Sequence, residues 1–164
     1  MVKVRRVPGP AAARFKVAMA ELAKDKVAKV GWFESAVYES GTPVALVAAV
    51  HEFGAPSRNI PPRPFFRPTI AREEVNWRDL ASRGAKAILQ GTTTAQNAME
   101  ALGGKAAGDV AKTIASITSP PLKPATIRAK ARRRADKKTV GNLTKPLIDT
   151  GYMFSTLTHT VEDK

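Results

Sequence analysis

The stretch TPVALVAAVHEFGAPSRNIPPRPFFRPT, residues 42–69, sets a short apolar segment directly against a loop that cannot be regular structure. Thr42 and Pro43 read as an N-cap and a first helical residue, and Gly54 stands where a C-terminal cap is wanted, so TPVALVAAVHEFG reads as a short buried helix. Residues 55–68 then carry five prolines. Each lacks a backbone donor and restrains the residue before it, which gives an ordered extended loop and excludes a helix or central strand. Pro61, Pro62 and Pro64 fix φ in advance, while Phe65 and Phe66 bring apolar area that is costly to leave in water. A rigid aromatic loop of this kind suits either a binding edge or a core plug. Arg63 and Arg67 flank it and are expected to meet carboxylates, with Glu73, Glu74 or an acidic group on a neighbouring subunit as candidates.

Working outward toward the N-terminus, Val27, Val30, Trp32 and Phe33 form a β-favouring run that reads as a strand to about residue 38. Before it, Ala12, Phe15, Met19 and Leu22 recur at helical spacing and predict a helix over residues 10–24 with one apolar stripe. Toward the C-terminus, a helix beyond Pro68 carries Ile70, Trp77, Leu80, Gly84 and Ile88 along one face. A second follows Thr92–Thr94 with Met99, Leu102, Ala106, Val110, Ile114 and Ile117, and Gly91 separates the two. Gly103, Gly104 and Gly108 each weaken that second helix by roughly 1 kcal/mol relative to Ala, so packing must sustain it, and Gly103 and Gly104 suggest close approach.

Residues 119–146 change character. SPPLKP breaks the helix and KARRRADKK concentrates positive charge with little apolar content, which reads as an extended basic loop or arm. The chain closes with a turn at LIDTGYMF and an alternating strand, STLTHTVE. Strands scattered among helices without a βαβ rhythm indicate an α+β fold: a small mixed sheet packed by helices, with the Pro-rich loop and the basic arm as appendages. A length of 164 residues suits one domain spanning 1–164.

The formal net charge of +13 implies attraction to something acidic, whether nucleic acid, protein or a membrane face. With no cysteine, disulfides, thiolate metal sites and a Cys nucleophile are excluded. The absence of a long apolar run and of a signal-peptide pattern leads to the expectation of a soluble, non-exported, cytoplasm-compatible protein.

No constellation for catalysis emerges. His51 and Glu52 begin an HExxH pattern, but Ala55 stands where its second His belongs, and His51 is expected instead to satisfy carbonyls at a helix end. Ser57, His51 and Asp149 can be assembled on paper, yet no nucleophile elbow surrounds a serine. Asp149 before Thr150 and Gly151 reads as a turn or cap that accepts backbone donors. Nucleotide-binding glycine loops are absent, so a non-enzyme without metal or cofactor is expected. Lys130, Arg132, Arg133, Arg134, Lys137 and Lys138 are the strong electrostatic feature. They are either a solvated or partner-facing run, or a phosphate-binding one that would not read sequence, since no aromatic interleaves them.

Two stretches carry a resemblance. VHEFGAPSRNIPPRPFFRPT, residues 50–69, and KPLIDTGYMFSTLTHTV, residues 145–161, resemble the "EFG … IPPRPF" and "PLIDTG" signatures of phage virion-morphogenesis proteins. These are the tail-completion or head-tail joining proteins of Mu-like and lambda-like tailed phages. Glu52, Phe53, Gly54 and residues 60–65 carry the first match; residues 146–151 and Ser155 carry the second. Tyr152 and Met153 depart from the smaller polar or basic residue and Leu usual there. The resemblance covers about a quarter of the chain. It implies a structural virion protein at the neck or tail that completes the tail or joins it to the head. Its partners would be its own copies in a ring (a hexamer, or alternatively a dodecamer), other neck and tail proteins, and DNA in the channel. No membrane partner is implied, and the host cytoplasm would be the place of assembly. On that reading Arg63, Phe65, Phe66 and Arg67 are interface residues, and the basic residues from Lys130 to Lys138 face the DNA channel or a partner. The alternative is a non-specific nucleic-acid-binding protein using residues 123–138.

Overall fold

The computed structural model describes residues 9–135 and 141–164. It is an α+β fold in which the elements run α1 (Pro10–Leu22), β1 (Lys26–Gly31), α2 (Val44–Phe53), α3 (Phe66–Leu89), α4 (Ala95–Ser116), α5 (Pro124–Ala135), α6 (Tyr152–Ser155) and β2 (Thr158–Asp163), with a single 3-10 turn at Pro56–Arg58. The small sheet is one antiparallel pair, β1 with β2, in a register that sets Lys26 opposite Asp163 and Gly31 opposite Thr158. Two strands alone are marginal in water, and here both lie against α4.

α3 and α4, the two helices that the spacing predicts, pack as a long antiparallel hairpin joined through Gly91 at φ 72°, and Thr94 N-caps α4, its side chain accepting the Asn97 N–H. Val110 and Ile114 of α4 meet Val44, Ala48, Phe65, Leu147, Met153 and Trp32 in one buried cluster. Gly103 is explained by β2: a Cβ there would stand 2.6 Å from His159 Cδ2, so the imidazole, held by Glu100 at 2.9 Å, occupies the space a side chain would need.

Several boundaries differ from the sequence reading. The first strand stops at Gly31, because Trp32 turns into the core, where its Nε1 donates to Met153 O at 2.8 Å and its ring meets Phe65 and Phe66 edge-on. Pro43 is itself the N-cap of α2, extended at ψ 134°, and the helix starts at Val44. α3 begins at Phe66, ahead of Pro68, which sits in the first turn where a missing N–H breaks no helical bond. α1 forms as expected, but it buries Ala18 rather than the anticipated stripe, leaving Phe15 and Met19 exposed.

The largest correction concerns residues 119–146. The segment holds α5 rather than an extended arm through its middle, starting at a proline that needs no donor and continuing in Ala, Arg and Lys, all good helix formers. Low apolar content argues against a self-contained core, not against a helix anchored by one buried residue. That residue is Lys130, 2% exposed. Lys137 and Lys138 lie outside the described residues.

Candidate functional site

Glu52, in the last turn of α2, holds the Pro-rich loop to the start of α3. Its buried carboxylate accepts the Phe65 N–H at 2.6 Å and the Phe66 N–H at 2.9 Å on Oε2, and the Arg67 N–H at 3.2 Å on Oε1. Arg67 closes the arrangement, its Nε donating to Oε1 at 3.0 Å and its Nη2 to the Glu52 carbonyl at 3.0 Å, while its guanidinium lies 5.2 Å from the centroid of Phe53. A carboxylate thus satisfies the orphan amides at a helix N-terminus, where the backbone dipole also favours negative charge. Burial works to raise the Glu52 pKa, but the Phe65, Phe66 and Arg67 donors outweigh it and hold the carboxyl below its ordinary value. Gly54 completes the turn at φ 78°, with Pro62 and the Ile60 carbonyl 3.0–3.1 Å from where a Cβ would stand. Glycine is required there twice over.

This geometry reassigns the expected interface residues. Phe65 is fully buried and acts as the core plug, and Phe66 is half-buried beside Trp32. Arg63 is buried too. It meets no carboxylate; Nε donates to Pro120 O at 2.9 Å and Nη2 to Pro121 O at 3.3 Å, so it ties the loop to the segment after α4. Of the four, Arg67 alone is largely exposed, and its acid is Glu52. Glu73 and Glu74 bond instead with Arg72 and Arg78. Behind the clasp, Thr69 Oγ1 lies 2.6 Å from both the Phe65 carbonyl and Thr113 Oγ1, which Arg72 Nη2 also reaches at 2.8 Å.

The basic residues divide in the same way. Lys130 Nζ donates to the Lys145 carbonyl at 2.6 Å and the Ile148 carbonyl at 2.5 Å, so it anchors α5 to the turn that precedes α6 and cannot face a channel. Lys145 Nζ reaches back to Ala115 O at 2.8 Å. Arg133 pairs with Asp149 at 2.6 Å, so Asp149 holds a side chain from α5, while Thr150 Oγ1 accepts the Tyr152 N–H. Arg132 and Arg134 are exposed and enter no ion pair among the described residues.

A groove of about 1030 Å³ is walled by Tyr38, Val47 and His51 on one side and by Leu147, Asp149, Tyr152 and Met153 on the other. The Tyr38 and Tyr152 rings pack with centroids 5.2 Å apart. His51 does not satisfy carbonyls as expected. Its Nδ1 is buried without a partner, and burial, then the charges of Arg63 and Lys130, push its pKa below the ordinary value. Sequence reasoning missed Glu52 as a cap, since its partners lie 13–15 residues away rather than at capping-box spacing. It also missed the tyrosine pair, for which no sequence signal exists.

Among the described residues, no group of three or more His, Cys, Asp or Glu side chains is placed to hold a metal ion. No described helix is long and apolar enough to cross a membrane. Compared with known proteins, the chain matches no family model, no curated sequence and no solved structure.

Proposed function

We propose that this chain is a non-enzymatic structural component of a tailed bacteriophage particle, forming a ring around the DNA path where the tail is completed or joined to the head. The observation that carries the reading is that the two stretches resembling virion-morphogenesis signatures converge in space. Phe65 from one, and Leu147 and Met153 from the other, share a single buried cluster. Two parts of one signature would be expected to share a core, and this convergence is what supports the reading.

Exposed apolar side chains support an assembled state: Phe15 is 60% exposed and Phe53 67%. α2 is inverted in this respect, with its polar Glu52 buried while Leu46 and Phe53 face outward. Two different apolar faces, on α1 and α2, suit heterologous contacts that close by rotation.

Disruption of the gene in a phage that encodes it is expected to leave heads and tails unjoined, or tails unfinished, in electron micrographs of lysates. Full yields of joined, infectious particles would refute the reading. A second reading, a free nucleic-acid-binding protein, is favoured by Arg132 and Arg134, which are exposed and have no ion-pair partner among the described residues. It requires useful DNA affinity from the isolated subunit with a steep loss on adding salt.

A further inference from the structure

We propose that the outer edge of β1, with the apolar trough beside it, is a docking site for one extended strand of a different protein. The proposal stands apart from the ring reading, which concerns contacts between copies of this chain.

The register decides which backbone groups face outward. Lys164 N–H donates to Asp25 O at 2.8 Å, which makes Asp25 and Lys164 a hydrogen-bonded pair of the antiparallel ladder. The pattern alternates from there. Val27, Lys29 and Gly31 bond to Glu162, Thr160 and Thr158, while the N–H and C=O groups of Ala28 and Val30 point away from β2. The outward Lys26 N–H turns back to Lys24 O at 3.0 Å. No described group bonds to the outward amides and carbonyls of Ala28 and Val30, and such an edge is a template for a further strand.

Beside that edge lies a trough of about 340 Å³, walled by Ala28 and Val30 of β1, Ile70 and Trp77 of α3, and Met99 and Leu102 of α4. Ile70 is 46% exposed there. The Trp77 indole N–H is committed to Asp109, so no side chain offers a polar group to orient a small ligand, and the polar groups at the rim are backbone. An apolar floor next to a hydrogen-bonding edge matches a strand, whose alternate side chains enter the trough while its amides meet β1. Lys26 and Lys29 are already paired with Asp163 and Glu162, so backbone and apolar contacts, not charge, select the occupant.

Geometry sets the form of that occupant. The sheet packs on α4, and α3 packs beside α4. Packed helices lie about 8–10 Å apart and paired strands about 4.8 Å, so α3 carries the floor past β1 by about two strand widths. A lone segment fits this shelf, whereas the sheet of a second copy would bring its own α4 into α3. Extended runs of a second copy, such as 59–65 and 117–123, are broken by Pro61, Pro62, Pro64, Pro120 and Pro121, which have no N–H to give. The strand that suits the shelf is one from another protein, alternating apolar and polar residues.

The full chain, labelled with ¹⁵N, would be titrated with a peptide of about seven residues alternating Val and Thr, a typical strand length, and with a counterpart carrying proline at its centre. The alternating peptide is expected to bind saturably and to slow amide exchange at Ala28 and Val30 at least about tenfold, leaving Val161 on the β2 edge unchanged. The proline counterpart is expected to bind at least about tenfold more weakly, a comparison that leaves the chain itself untouched. Ile70→Glu, which puts a charge in the trough from an exposed position, is expected to weaken binding as much, at an unchanged melting temperature. Val75→Glu, 63% exposed on α3 and outside the lining, is expected to weaken it less than about threefold. No saturation, equal binding of the proline counterpart, protection of Val161 in place of Ala28 and Val30, or full binding by Ile70→Glu would each overturn the proposal. So would protection of Ala28 and Val30 that rises with the concentration of the chain alone, which would assign the edge to a second copy. Ring formation through other surfaces bears on none of these outcomes.

Discussion

At the scale of single residues, Glu52 links two helices: from the last turn of α2 its carboxylate caps the start of α3. Two acceptor oxygens serve three amides and a guanidinium, so removing the charge leaves buried donors short of an acceptor. Glu52→Gln is expected to cost about 3 kcal/mol in urea denaturation, because buried amide donors lose a charged acceptor. Arg67→Ala should cost no more than about 1 kcal/mol, because Arg67 is largely solvated and the backbone donors remain. Equal losses would mean that the ion pair rather than the helix cap holds the loop. The pH dependence has two parts of the same sign. The folded pKa of His51 is depressed, so the unfolded chain takes up protons first and stability declines as pH falls below the ordinary histidine value of 6.5. Glu52 is depressed too, so its contribution is complete above 4.5 and is lost as pH falls further through its folded value. His51→Leu, which removes an unpartnered buried nitrogen, is expected to abolish the upper decline and keep the lower one in denaturation series at stepped pH. Persistence of the upper decline would assign it elsewhere. Glu52 was half legible in the sequence: the EFG element marked the place, but the distance to Phe65 hid the role.

At the scale of elements, helices with strong periodicity were legible and those held by single polar anchors were not. α3 and α4 follow their apolar spacing because each buries a face against the other, and α4 also packs on the sheet. α5 escaped because its sequence looks like a solvated charge run; what fixes it is Lys130 on two carbonyls, a long-range contact with no local signature. α1 shows the converse, with a clear stripe in sequence that the fold leaves exposed, as the stripe of an assembling subunit would be. The glycines of α4 separate packing from propensity. Gly103→Ala gains helix propensity but drives a methyl into His159, and a net loss of about 1–3 kcal/mol is expected. Gly108→Ala meets open space and should gain up to about 1 kcal/mol. Thermal melts of the two variants check this, and a destabilised Gly108→Ala with a neutral Gly103→Ala would contradict the α4–β2 packing described.

At the scale of the whole molecule, the α+β class was readable from the order of elements, whereas the exposure of Phe15 and Phe53 was not, because exposure is a property of the tertiary arrangement. The same holds for the basic run, which the fold divides into an anchor, Lys130, a paired rim residue, Arg133, and two uncommitted cations, Arg132 and Arg134. If those two face DNA, Arg132→Gln with Arg134→Gln should make the log–log dependence of DNA affinity on salt shallower by about two, without altering assembly. An unchanged slope together with lost assembly would reassign them to protein contacts. The account turns on assembly, and native mass spectrometry of the purified chain over rising concentration tests it most directly. The expected result is one closed oligomer, a hexamer or a dodecamer, weakened by Phe53→Glu on the exposed face of α2. A monomer at every concentration, with or without DNA, would contradict it.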